Sequence, residues 1–209
     1  MAFMTLIGLI LIALAGLIYA FWKVVFLRNP DRQTPSGNNV IAPADGKVIE
    51  VLEYSDKQVQ LFKGNQRLLG IINTLTSDVA PEGYIVSIFM SPLDVHHNRA
   101  PIDGEVQSVK HSDGKFLAVN TFEAGLVNEK SEVVIQGKIK VKMIQIAGFL
   151  ARRVITSVKP GDKVKAGNLV GLINLGSQVT VILPKSVDIK VSKGDRTVAG
   201  ETILAKINS

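Results

Sequence analysis

The stretch that decides the fold is "APADGKVIEV" (residues 42–51), which recurs as "APIDGEVQSV" (100–109). In both copies an Asp-Gly pair turns the chain into a valine-containing strand, and glycine supplies the positive φ that such turns require. A second pair, "VKPGDKVKAGNLVGLI" (158–173) and "VSKGDRTVAGETILAKI" (191–207), repeats a Gly-Asp turn followed by Ala-Gly and a strand. The two repeats predict a pseudo-symmetric fold made of two β-rich halves.

Short β-rich runs bounded by turn pairs fill most of the chain after residue 40. They are "KVIEVLEY" (47–54), "GYIVSIFM" (83–90), "EVVIQ" (132–136), "KIKVKMIQIAG" (138–148) and "LVGLINLG" (169–176). Helix signals are sparse, and only 91–99 and 148–157 could form short helical turns. We therefore predict a mainly β fold with a minor α part. The Gly-Asp units resemble lipoyl- and biotinyl-type domains, which implies a β-sandwich with two such half-motifs.

The first 22 residues predict a membrane anchor. They contain no charged residue, and about 20 apolar residues suffice to span a bilayer. Tyr19 and Trp22 lie at one end, where interfacial aromatic residues are typical, and basic residues follow only after them. The first basic residues are Lys23, Arg28 and Arg32. The positive-inside rule then places the body in the cytoplasm at the cell membrane.

A cleaved signal peptide is the alternative to an anchor, but its basic first segment and its small-residue cleavage site are missing. We predict an uncleaved transmembrane helix at 1–27. The segment 28–40, rich in Pro, Asn, Ser and Gly, is predicted to be a linker. The β-rich remainder, 41–209, is predicted to be one catalytic domain.

The composition excludes several classes of protein. Because the chain has no cysteine, disulfides, zinc–thiolate sites and thiol catalysis are excluded. The net charge is +6, but aromatic residues are few and no motif that reads RNA or DNA is present, so no nucleic-acid partner is predicted. A basic protein beside a membrane is attracted to anionic lipid by about 1 kcal/mol for each Lys or Arg near the surface.

One predicted strand, "GLINLGSQVTVILP" (171–184), is interrupted by Gly176-Ser177. One interpretation is a β-bulge in which the serine hydroxyl is satisfied locally. The other is chemical: a serine hydroxyl can attack the preceding carbonyl when the peptide is distorted and a base takes the proton. Glycine before the serine permits such a distortion.

The candidate base is a histidine, and the chain has three: His96, His97 and His111. Histidine is the natural general base near neutral pH. His96 lies in a polar loop segment, whereas surface exposure is the expectation for the other two. Adjacent residues of an extended chain point to opposite faces, so no metal site is predicted. Asp45 or its repeat partner Asp103 could orient the histidine, and the sequence does not separate these two from each other.

Four motifs, in this order behind an apolar segment, resemble the phosphatidylserine decarboxylase family in its short, single-anchor form. They are "FLRNPDR" (26–32), "APADGKV" (42–48), "MSPLDVHHNRAPIDG" (90–104) and "LGSQVTVILP" (175–184). The resemblance implies a phospholipid substrate, phosphatidylserine, at an anionic membrane. It implies decarboxylation to phosphatidylethanolamine and CO₂.

The resemblance also implies that the cofactor is made from the chain itself. Ser177 would attack the Gly176 carbonyl, and β-elimination would free a β chain of 1–176 from an α chain of 177–209. The dehydroalanine left at Ser177 would hydrolyse, with loss of ammonia, to a pyruvoyl group that forms a Schiff base with the substrate amine. No external cofactor and no metal are implied.

The family's roles carry over residue by residue. Asp45 matches the charge-relay aspartate and His96 the histidine of the central motif. Longer members have a second histidine where this chain has Arg99, and the short forms show the same His-x-Asn-Arg pattern. Arg99, Asn98 and Arg152 are tentative substrate-binding residues. Other basic candidates for the phosphate or carboxylate are Arg153 and Lys142.

Three alternatives stay open. An archaetidylserine decarboxylase would use the same mechanism on an ether lipid. A non-enzymatic, membrane-anchored lipoyl-like adaptor would explain the anchor and the repeats, but it needs a heptad-patterned helical hairpin that the sequence lacks. A biotin or lipoyl carrier with Lys142 as acceptor ranks lowest. The sequence leaves the oligomeric state open, including a homo-oligomer.

Overall fold

The computed structural model describes residues 2–55, 72, 74–114, 121–122, 125, 127–148, 153–174 and 177–208. The chain begins with helix α1 (Ala2–Ala20), which continues as a π-helical segment, Phe21–Phe26. The span Phe3–Phe26 is 24 residues long with a mean hydropathy of 2.5, and none of its most apolar stretch is buried. Its length and composition are consistent with membrane anchoring.

Antiparallel strands make up most of the regular structure in the rest of the described chain, so the predicted mainly β class is confirmed. The strands are β1 (Asn39–Ile41), β2 (Gly46–Ser55), β3 (Glu82–Met90), β4 (His97–Arg99), β5 (Gly104–Ser112), β6 (Lys130–Gln136), β7 (Lys140–Ile146), β8 (Val154–Thr156), β9 (Lys163–Val164), β10 (Leu169–Ile173), β11 (Ser177–Pro184), β12 (Val187–Ile189), β13 (Arg196–Thr197) and β14 (Ile203–Ile207).

The strand order reflects the sequence repeats. An eight-stranded sheet runs β13-β2-β3-β11-β7-β6-β5-β9, and two three-stranded sheets run β1-β14-β12 and β4-β10-β8. β2 begins at Gly46 and β5 at Gly104, the glycines of the two Asp-Gly pairs. Each pairs on its outer side with a two-residue strand, β13 or β9. The two copies of the motif therefore occupy equivalent positions at opposite ends of the large sheet.

The central strand β11 separates two apolar cores. Val179, Val181 and Leu183 belong to the larger core, whereas Ile182 belongs to a smaller core on the other face. This alternation is the period of two that a strand imposes on its side chains. All of β11 except its last residue is buried, because β3 and β7 pair with it on both sides.

Two local predictions are wrong. The run 171–184 is not one interrupted strand, because β10 lies in a three-stranded sheet and β11 in the large one. Both segments are apolar since both are buried, and that pattern does not reveal the change of sheet. Residues 91–99 do not form the predicted short helical turn: an isolated turn at 91–94 leads into β4, which pairs with β10. Within 148–157, residues 149–152 lie outside the described residues, and 154–156 form β8.

Candidate active site

Ser177 is the first residue of β11 and lies opposite Met90 of β3. Its side chain is fully buried, and its hydroxyl donates to the Met90 sulfur over 3.5 Å. A thioether sulfur is a weak acceptor, so this bond restrains the hydroxyl only lightly. Gly176, the other half of the predicted cleavage site, lies outside the described residues.

His96 is held in one tautomer. Its Nδ1 lies 2.8 Å from the Asp94 carbonyl oxygen, and because a carbonyl only accepts, Nδ1 must carry the hydrogen. The lone pair is then on Nε2, which is buried and has no hydrogen-bond partner among the described residues. An unprotonated ring nitrogen of this kind can accept a proton.

Burial keeps His96 neutral. Desolvation lowers its pKa to about 4, against the opposing effects of the Asp94 carbonyl and of the Asp94 charge. The Arg28 charge lowers the pKa further, and the Asp45 charge raises it. At neutral pH the side chain is therefore an uncharged base with a free lone pair.

The end of the anchor covers the histidine. The Phe26 ring lies 4.3 Å from the His96 ring, centroid to centroid, and is itself fully buried. Trp22 stacks on Phe26 at 4.5 Å. Sequence reasoning missed Phe26, although it is the first residue of the quoted "FLRNPDR" motif. The end of the N-terminal helical segment is thus one wall around the histidine.

Asp94 fixes the turn that presents His96. One carboxylate oxygen accepts the Ser91 N–H at 2.8 Å, and the other accepts from the Arg196 guanidinium at 2.8 Å. The Asp94 side chain is nearly buried. With its carbonyl bound to Nδ1, Asp94 sets both the position of the histidine and its tautomer.

One contact distinguishes Asp45 from its repeat partner, Asp103. Asp45 accepts the Ala199 N–H at 2.7 Å, and Asp103 accepts the Ala166 N–H at the same distance. Only Asp45 is also paired with Arg32, at 2.9 Å, and it is mostly buried. Within the part of the chain that the structure describes, no hydrogen bond joins Asp45 to the histidine. Its predicted role as an orienting carboxylate stays a prediction.

A buried polar chain leads away from Ser177. The Met90 sulfur also accepts from Asn98 Nδ2 at 3.7 Å, and the Asn98 oxygen accepts from Gln145 at 2.8 Å. Gln145 in turn accepts the Thr156 hydroxyl at 2.9 Å. Asn98, predicted to bind substrate, is therefore buried and hydrogen-bonded within the domain. Sequence reasoning missed Gln145 and Met90, because nothing in their local pattern differs from an ordinary strand.

Arg99 connects the predicted linker to the β-rich domain by hydrogen bonds. Its guanidinium donates to the Gly167 carbonyl at 2.8 Å, to Asn29 Oδ1 at 2.6 Å and to the Pro30 carbonyl at 3.1 Å. It is therefore already engaged on the side where the anchor joins the domain. Arg152, another predicted substrate-binding residue, lies outside the described residues.

Lys142, a predicted candidate for binding the substrate phosphate or carboxylate, instead has its partners inside the fold. It is buried, and its Nζ donates to the Leu75 carbonyl at 2.7 Å and pairs with Asp78 at 2.5 Å and Glu132 at 3.1 Å. Burial of this lysine among partners also contradicts the carrier alternative, which requires an acceptor at an exposed hairpin tip.

The chain matches known proteins over nearly its whole length. The family model for phosphatidylserine decarboxylase matches residues 20–205. A protein of Methanocaldococcus jannaschii, provisionally named an archaetidylserine decarboxylase proenzyme, is 43% identical over 92% of this chain and 93% of its own length. Phosphatidylserine decarboxylase proenzymes of Geotalea uraniireducens and Chlorobaculum tepidum are 41% and 36% identical, over 90% and 95% of this chain and 80% and 84% of their own lengths.

Proposed function

The chain belongs to the phosphatidylserine decarboxylase family of pyruvoyl-dependent carboxy-lyases, and we propose that it converts phosphatidylserine into phosphatidylethanolamine and CO₂ after cutting itself between Gly176 and Ser177. The observation that carries the proposal is the His96 ring: neutral, buried, and with a free lone pair on Nε2. Both His96 and Ser177 are buried, and Ile173, four residues before Ser177, donates its N–H to the His96 carbonyl over 3.3 Å.

The cleavage uses this chain's own groups. The Ser177 oxygen attacks the Gly176 carbonyl while its proton passes to His96 Nε2. The ester formed in this way eliminates, which separates 1–176 from 177–209, and hydrolysis with loss of ammonia leaves a pyruvoyl group at residue 177. The weak bond to sulfur costs little to break, so the hydroxyl is free to turn toward the carbonyl.

The residues around Ser177 fit a pyruvoyl terminus. That group supplies a ketone that takes up the substrate amine and withdraws electrons as CO₂ leaves. β3 pairs with β11 from Ser177 to Pro184, and β7 pairs with it from Gln178 to Ile182, so the new chain end stays in a sheet after the cut. Burial excludes water from the site, and His96 Nε2 can take up and return a proton.

The other site residues are proposed in different roles. Asp45 is proposed to stabilise the protonated His96 through its charge, which already raises the histidine pKa in the uncut chain. Arg99 and Arg152 are proposed to bind the anionic head group. Asn98 is proposed to position the site, because it is buried and its oxygen is bound to Gln145.

We further propose that the catalytic domain lies on the cytoplasmic side. The first 22 residues carry no charge, and the basic residues that follow them satisfy the positive-inside rule. We also propose that the two halves are lipoyl-like. The Gly-Asp repeats support this, because the repeats occupy equivalent positions in the sheet order.

An ether-linked substrate is the second candidate, supported by the Methanocaldococcus jannaschii relative. Both lipids present the same serine head group, so His96 and Ser177 would act identically on either. The purified full-length chain, incubated with carboxyl-labelled phosphatidylserine or archaetidylserine in mixed micelles, is expected to release labelled CO₂ from at least one. A cleaved chain that releases none from either lipid contradicts the proposal.

The role of His96 is tested by His96→Asn, with His111→Asn as the control at an exposed histidine. We expect His96→Asn to slow self-cleavage and decarboxylation by about 100-fold or more, the usual contribution of a general base. His111→Asn is expected to leave both rates close to those of the wild type. Normal cleavage by His96→Asn would refute the assignment of the base.

A further inference from the structure

We propose that the catalytic domain has a bilayer-seating patch, formed by Leu93, His97, Ile155 and Leu172, which lies on the membrane that the anchor spans. The proposal rests on membrane anchoring and on a phospholipid substrate, and it goes beyond them by assigning the residues of the domain that contact lipid. The occupant is the lipid–water interface, contacted by the apolar side chains and by the basic residues beside them.

The patch contains three apolar residues and one histidine; Leu93 and Ile155 are exposed, and His97 and Leu172 are partly exposed. The side chain of Leu93 is 65% exposed and that of Ile155 is 41% exposed. His97, Leu172 and Ile155 are directly opposite one another across β4, β10 and β8, so their side chains form one row on the outer face of this sheet. The neighbouring row, Asn98 and Thr156 with Gly171 between them, faces inward onto Gln145.

The anchor ends at this patch. The Arg28 guanidinium donates to the Leu93 carbonyl at 2.5 Å, and the Leu27 backbone forms a hydrogen bond with His97. At 1.5 Å per residue, the 24 residues of Phe3–Phe26 are roughly 36 Å long, somewhat more than the roughly 30 Å hydrocarbon core. Residues just after Phe26, and the groups that they touch, therefore lie at the depth of the head groups.

Basic residues flank the apolar row. Lys23 and Arg28 lie at the end of the anchor, and the exposed Arg153 directly precedes β8, two residues before Ile155. Each attracts anionic lipid by about 1 kcal/mol. Two acidic residues lie near the row: Asp94 is paired with Arg196, and Glu129 accepts the Val154 N–H at 3.4 Å and lies 3.5 Å from His111. Burial lowers the pKa of His97, so this member of the row is uncharged at neutral pH.

This placement gives the substrate a direct route. Because Phe26 touches His96 and Arg28 touches Leu93, the buried base lies just behind the surface that would face the lipid. A serine head group could then reach the site while its acyl chains stay in the bilayer. The anchor and the patch together would fix the orientation of the domain on the membrane.

The absence of cysteine from the chain makes a direct test simple. Leu93→Cys and Ile155→Cys, each in the full-length chain reconstituted into vesicles, are labelled with an environment-sensitive fluorophore and exposed to lipids brominated near the head group. Glu82→Cys is the matched control, because Glu82 is exposed at the far end of β3, roughly 26 Å from Met90. We expect quenching at Leu93 and Ile155 to exceed that at Glu82 by at least about twofold, as for groups seated 5–10 Å into the interface. Equal quenching at all three positions would overturn the proposal.

A kinetic test distinguishes an effect on lipid contact through the patch from an effect on the chemical steps. The double variant Leu93→Asp with Ile155→Asp is expected to raise KM for phosphatidylserine in vesicles severalfold, while self-cleavage and turnover of a short-chain, water-soluble phosphatidylserine stay unchanged. An unchanged KM in vesicles would also count against the patch. Because the quenching experiment does not depend on turnover, a failure of the proposed enzyme activity would be recognised separately.

Discussion

Acidification should destabilise the uncut chain through His96. Its pKa falls from 6.5 to about 4 on folding because the ring is desolvated. Below pH 6.5 the unfolded chain therefore binds a proton that the folded chain does not, so the stability present above pH 6.5 is lost as the pH falls toward 4. A difference of roughly 2.5 pKa units, at about 1.36 kcal/mol each, corresponds to a loss of about 3 kcal/mol.

The assay uses Ser177→Ala in detergent micelles, so that the chain stays in one piece. Denaturant unfolding at pH 7 and at pH 4 is followed by circular dichroism, with the single tryptophan, Trp22, as a local reporter 4.5 Å from Phe26. Adding His96→Asn keeps a donor for the Asp94 carbonyl but removes the titration. We expect this change to abolish most of the 3 kcal/mol dependence, whereas the control His111→Asn, at an exposed histidine, keeps it.

Contributions from carboxylates are common to these variants and cancel in the comparison. If the pH dependence of the His96→Asn chain runs parallel to that of its parent, the histidine is not buried in neutral form, and the reasoning about its tautomer and its free lone pair fails.

Three further predictions concern residues around the site and the fold. Lys142→Met should lower the free energy of unfolding by about 3 kcal/mol or more, because Glu132 is left as an unpaired, mostly buried charge. A second change, Glu132→Gln, should restore most of this stability. Denaturant midpoints test the prediction, and a double variant that recovers no stability would contradict it. Gly46→Ala should prevent a stable fold, because the φ angle of Gly46 is +150° and a Cβ there would lie 2.1 Å from a backbone oxygen of β3. A Gly46→Ala chain with normal thermal stability would refute this prediction. Gln145→Leu should slow self-cleavage and lower the free energy of unfolding by about 1–3 kcal/mol, because the Asn98 oxygen loses its buried donor. Self-cleavage is followed on a gel. An unchanged cleavage rate would show that the hydrogen bonds from Gln145 to Asn98 do not position the site.

Local sequence patterns predicted the strands well, because burial on one face or both leaves a visible alternation or a continuous apolar run. β2, β3, β6 and β7 lie within a few residues of their predicted limits. The break at Gly176-Ser177 was misread as an interruption of one strand, since the apolar residues of two buried strands in different sheets look the same as those of one strand.

The site could be predicted only where a residue type itself carries chemistry. Ser177 and His96 were found in this way, and the structure buries both. Phe26 and Met90 were missed, because their importance comes from contacts with His96 and Ser177 that are distant in sequence. The same is true of Lys142, which an alternating strand places at the surface but which long-range acidic partners bury.

The difference between Asp45 and Asp103 shows the limit of local reasoning. Both belong to the same repeated motif and both accept a backbone N–H at 2.7 Å. Only Asp45 has an arginine partner, Arg32, which the linker brings back onto the domain. A short motif specifies the turn, whereas tertiary structure decides which copy of it gains an arginine partner.

The most direct test of the central claim is the intact mass of the purified chain, compared with that of Ser177→Ala. The account predicts two chains from the wild type, 1–176 and 177–209, with the smaller one lighter by the mass of ammonia than the unmodified segment, and a single uncut chain from the variant. A wild-type chain that decarboxylates phosphatidylserine while uncut, or a smaller chain that begins with an intact Ser177 and a free amine, would contradict the account.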